Sequence, residues 1–137
     1  MPVLAYTPKT KELSQAKDPA KALMEGVGDL SGIDLFYNQI LVATYIAPDQ
    51  TKGGVFLPQS AAQEDIFQGK CGLVLKKGPM AFEDDADISF KGQNVSIGDW
   101  VAFRVGDTWM LTLNGVNCRL ITDRNIKMRV SSPGIVF

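Results

Sequence analysis

From Asn38 onward the apolar residues recur with a period of two, and this alternation limits the possible folds more than any other feature of the chain. Ile40, Val42 and Ile46 fall on one side of an extended segment, with Thr44 interrupting the apolar set. Leu41, Ala43 and Tyr45 fall on the other. Similar short runs follow at Cys71–Lys76, Asp87–Phe90, Asn94–Ser96, Trp100–Val105, Thr108–Leu113 and Val116–Thr122. Lys91-Gly92, Gly98-Asp99, Gly106-Asp107 and Asn114-Gly115 separate several of them. Asn-Gly is the strongest hairpin signal of the set, because a tight hairpin turn needs positive φ at both central residues. Short strands at this spacing predict an all-β domain, a small antiparallel barrel or sandwich.

At 137 residues the chain can hold one domain with its own core, plus appendages. The formal net charge is −1 and the two signs are interspersed, so no basic stripe exists to neutralise phosphates and no nucleic-acid partner is expected. No apolar run approaches the roughly 18 residues of a membrane span, and the N-terminal stretch lacks the charged-then-apolar layout of a secretory signal. The expectation is no membrane partner and a cytoplasm-like compartment. Histidine is absent, which removes the commonest general base and the commonest metal ligand. Cys71 and Cys118 sit in apolar runs without C-x-x-C spacing, so buried free thiols are expected rather than a metal site or a disulfide.

Ahead of the alternating region, Asp18-Pro19 reads as the N-cap and first residue of a short helix through Ala20, Ala22, Leu23 and Met24. Gly26 and Gly28 are expected to end it. So short a helix is not stable alone and must dock on something or stay mobile. Thr7–Lys17 is polar and lysine-rich and reads as an arm, so residues 1–37 are taken as an N-terminal arm containing one helix.

Several charged and aromatic residues invite functional readings with plainer alternatives. Glu83-Asp84-Asp85-Ala86-Asp87 lacks the glycine and distal glutamate of a calcium loop and reads as a solvated loop tip. Asp99 belongs to the turn before a strand, and Asp123 is placed to cap a short turn after one. Of Trp100 and Trp109, one is expected to fill the barrel and the other to lie at a subunit contact. No residue is assigned a catalytic role.

Gly53-Gly54-Val55-Phe56-Leu57-Pro58 stands out for a different reason. It sets three large apolar residues between two polar, turn-forming stretches, Pro48–Lys52 and Gln59–Asp65. Such a triplet suits docking into a partner's groove, whereas by residue type alone it would be a short core strand.

The order of the segments resembles the co-chaperonin (GroES-like) family. A first strand is followed by Gly53-Gly54-Val55-Phe56-Leu57, by the glycine-led run Gly69–Pro79, by Ile97-Gly98-Asp99-Trp100-Val101-Ala102-Phe103, and by the closing Leu120–Ile126. The resemblance spans about Asn38 to Val130. It implies an irregular antiparallel β-barrel over residues 38–130, with a mobile loop at about 48–68 and a roof hairpin at about 80–96, after which residues 131–137 read as a C-terminal tail. It also implies a non-enzymatic ring, a heptamer, that caps a GroEL-like chaperonin and assists ATP-dependent protein folding. Gly53, Gly54, Val55, Phe56 and Leu57 would enter the chaperonin groove, and ATP would be bound by the chaperonin, leaving this chain without a cofactor. Exposed strand edges seek partners, so Ile126, Met128 and Val130, or the apolar tail, are expected to meet a neighbour near its first strand, at Ile40 and Val42.

The chain departs from the family pattern in its N-terminal arm, its apolar tail Gly134-Ile135-Val136-Phe137, and Asn38-Gln39-Ile40 where the family carries D-R-V. Such a decorated version resembles a virus-encoded relative, acting in a host cytoplasm. The competing reading is a virion component, capsid-associated or decorating, that reuses the barrel and lashes subunits together with its terminal arms. A small enzyme on a barrel scaffold is a third class, narrowed by the absence of histidine.

Overall fold

The computed structural model describes residues 7–46 and 70–135. Helices α1 (Pro8–Ser14) and α2 (Pro19–Val27) precede six strands: β1 (Gln39–Tyr45), β2 (Cys71–Lys77), β3 (Trp100–Phe103), β4 (Trp109–Leu113), β5 (Val116–Thr122) and β6 (Ile126–Val130). They form one antiparallel sheet in the order β4-β5-β1-β2-β3-β6. This is the mostly-β architecture expected from the alternation, consistent with a GroES-like fold.

The period of two sorts β1 onto two cores. Leu41, Ala43 and Tyr45 pack with Cys71, Leu73, Leu75, Trp100, Val116 and Cys118 on one face. Ile40 and Val42 pack with Val74, Val95, Val101, Phe103 and Ile121 on the other. Partner register slips between Leu41 and Val42, which face Lys76 and Val74, so Leu75 is the extra residue of a bulge in β2. Asn114 and Gly115 take φ of 51° and 81°, and this turn joins β4 to β5 as the sequence predicts.

α2 forms where expected. The Asp18 carboxylate accepts from the Lys21 amide at 3.3 Å, Pro19 starts the helix, and Gly28 ends it at φ 76°. Gly26 does not stop the helix but lies within it. Leu23 and Val27 are fully buried in the first core, so α2 docks on its own sheet.

Two further expectations about the fold need correction. Thr7–Lys17 is not simply an arm: Thr7 caps α1 through its side chain, Pro8 opens it, and the helix lies against β1 and β5. Its buried residues are Thr10 and Ser14, so no apolar stripe announces it. Asp87–Phe90 and Asn94–Ser96 are not strands. The Asp85 carboxylate takes the amides of Asp87 and Ile88, and Asp84 takes that of Phe90. Local side-chain bonds of this kind compete directly with a ladder.

Candidate partner interface

Residues 47–69 connect β1 to β2 in sequence, and the described residues on either side are paired strands, with Tyr45 at the end of β1 facing Cys71 at the start of β2. Gly53, Gly54, Val55, Phe56 and Leu57 lie in this span, outside the described residues. Both of its roots are held. On the far side the Lys70 carbonyl accepts from the Phe103 amide at 3.0 Å. On the near side Ile46, just past β1, is bonded by α1: its amide donates to the Ser14 hydroxyl at 3.1 Å, and its carbonyl accepts from the Gln15 side-chain amide at 2.6 Å.

The residues expected at a subunit contact fall into two groups. Ile40 and Val42 are 0% exposed in the second core, on a strand paired along both edges. Their side chains therefore have no surface to offer a neighbour while the core is intact. β6 is different, because among the described residues it pairs only with β3 and keeps its other edge open. Met128 is 52% exposed there, Ile126 packs partly on the second core, and Val130 partly on the first.

Directly after β5, Asp123 joins three segments. Its carboxylate accepts from the Asn38 side-chain amide at 2.9 Å and from the Phe82 backbone amide at 2.8 Å, and its own amide donates to the Asn38 carbonyl. It does not cap the short turn Asp123–Asn125, which starts without a side-chain cap. The acidic cluster at 83–87 is exposed, as expected of a loop tip. Backbone amides of Asp87 and Ile88 hold the Asp85 carboxyl below the usual carboxylate range, and Arg124 meets it at 3.1 Å.

Trp100 is buried edge-on against Tyr45, with ring centroids 5.5 Å apart, and so fills the first core. Trp109 is 65% exposed on β4. It borders an open cleft with Gln39, Asp107, Thr108, Leu120 and Thr122. Among the described residues that line it, Asp107 is the only carboxylate, and no second acid–base group stands beside it there. Cys71 and Cys118 are buried free thiols, and burial pushes both up to about 12. Among the described residues no three His, Cys, Asp or Glu side chains are grouped to hold a metal, and no helix is long and apolar enough to cross a membrane.

A family model described as chaperonin 10 kDa subunit (Cpn10) matches residues 33–129. The chain belongs to this family. No curated protein matches it. Membership makes the chain co-chaperonin-like in general terms: Cpn10 proteins are oligomeric partners of a GroEL-like chaperonin and are not, as a class, enzymes. The matched span runs from before β1 almost to the end of β6 and leaves both N-terminal helices outside it.

The buried hydroxyls of α1 are what sequence reasoning missed. The available signal was Thr7-Pro8 as cap and first residue, with Thr10 and Ser14 four apart on one helical face.

Proposed function

We propose that this chain is a co-chaperonin that caps a chaperonin ring and assists ATP-dependent folding, with Val55, Phe56 and Leu57 entering an apolar groove on each chaperonin subunit. The observation that carries the proposal is the family match across residues 33–129, a span that includes the triplet led by Gly53-Gly54. Gly53 and Gly54 give the backbone freedom to seat the triplet closely. Fixing an extended segment on a partner costs about 1–2 kcal/mol per residue in backbone entropy, so one such contact is weak. A ring presenting several copies, a heptamer in this reading, gains avidity of about 10²–10⁴-fold and still releases when the partner changes state. Neighbouring subunits meet along the open edge of β6, through Ile126, Met128 and Val130. ATP is bound and hydrolysed by the chaperonin, in a cytoplasmic setting.

In the capsid-lash reading, Leu23, Met24 and Val27 would be held for a neighbouring subunit. Leu23 and Val27 are instead buried in the chain's own core and Met24 packs against it, which favours the co-chaperonin.

The test is capture of a chaperonin ring in the presence of ATP by the unaltered chain and by Phe56→Asp. The variant should lose capture while unfolding within about 1 kcal/mol of the parent, as for a surface substitution. Unfolding of the variant would make the triplet part of the core, and failure of the parent to bind would remove the co-chaperonin function.

A further inference from the structure

The pair of bonds on Ile46 has no counterpart in a simple hairpin, and it comes from a helix that the family model does not cover. Where β1 stops pairing, the backbone amide and carbonyl of the next residue need new partners, since buried groups left unbonded are costly. Ile46 is fully buried, and Ser14 and Gln15 supply one partner each. The same helix is fastened elsewhere. Thr10 and Asn117 bond each other, the Thr7 amide donates to Asn117 at 2.7 Å, and Lys9 donates to the carbonyls of Asn114 and Gly26. α1 is therefore tied at one end to the β4–β5 turn and at the other to the last residue before the 47–69 span.

We infer that α1 is a brace that holds the β1 root of the 47–69 segment in place and thereby tightens binding by that segment. The second half of the inference rests on the co-chaperonin reading. Loosening Ile46 adds a backbone residue that must be immobilised on binding, so each copy of the segment should bind about five- to thirtyfold less tightly. The effect needs no contact between α1 and the partner.

The variants are Ser14→Ala, which leaves the Ile46 amide without its acceptor, and Gln15→Ala, at an exposed position that removes only the carbonyl's partner. Glu12→Ala, exposed on the same helix, is the control. The first readout is hydrogen exchange on the full-length protein. The Ile46 amide should exchange at least tenfold faster in Ser14→Ala, with β1 amides at Val42 and Ala43 unchanged. The second is affinity for an isolated chaperonin ring with ATP, which should fall in both variants and not in the control. Unchanged exchange at Ile46 overturns the brace, and faster exchange with unchanged affinity overturns its effect on binding. If the unaltered protein binds no chaperonin, the functional reading fails, while the exchange data still decide the brace.

Discussion

Thr10 and Asn117 satisfy each other reciprocally: the threonine hydroxyl donates to the asparagine side-chain carbonyl at 2.8 Å, and the Asn117 amide donates back to that hydroxyl at 2.7 Å. Both residues are buried, one on α1 and the other at the start of β5. A helix that lies outside the family match is thus bonded into the sheet that lies within it.

Thr10→Val keeps the shape of the side chain and removes the hydroxyl. The Asn117 amide is then buried without an acceptor, at a cost of about 1–3 kcal/mol. Urea unfolding should register that loss, with the slope of the transition unchanged. A change under about 0.5 kcal/mol would mean that α1 is detached in solution.

Leu23→Ala tests whether residues before the family match are an appendage. Leu23 is fully buried among Leu41, Leu73 and other residues of the first core. Truncating a leucine in such a position costs about 2–5 kcal/mol. The expected result is that the whole domain unfolds earlier in a single transition. A loss confined to the helical signal, with the sheet as stable as before, would restore the view of a separable arm.

The two thiols predict an alkaline limit. Burial raises Cys71 and Cys118 to about 12, whereas in the unfolded chain they ionise near their ordinary value of about 8.5. A raised folded value means that their contribution is complete below about pH 8.5 and is lost as pH climbs towards 12. The melting temperature should therefore be insensitive to these groups between about pH 6 and 8 and fall above about 9. Replacing both cysteines with alanine should flatten the alkaline fall. In the folded protein neither thiol should react with iodoacetamide at pH 8, and both should react in urea.

Much of the sheet was legible because alternation and turn chemistry act locally. β1, β2 and β5 follow their apolar runs closely, and the Asn114-Gly115 turn depends on two residues that tolerate positive φ. α2 was legible for the same reason, through Asp18, Pro19 and Gly28. The run at 87–90 misled because its alternation is real, while Asp84 and Asp85 claim the amides a ladder would need. Alternation separates the two faces of a strand without saying whether both are covered, so it leaves open the burial of Ile40 and Val42 that the second core provides.

The sequence alone determined the strand period, the turns, the capped helix at Pro19, the burial of both cysteines and the order of motifs that resembles a co-chaperonin. These depend on a residue and its near neighbours. The tertiary structure decided what covers each face of the sheet, and so placed Leu23 against the chain's own core and withdrew Ile40 from any surface. It also decided α1. Burying Thr10 and Ser14 is favourable only where strand backbone has run out of ladder partners, and Asn117 and Ile46 become such places only once the chain has folded.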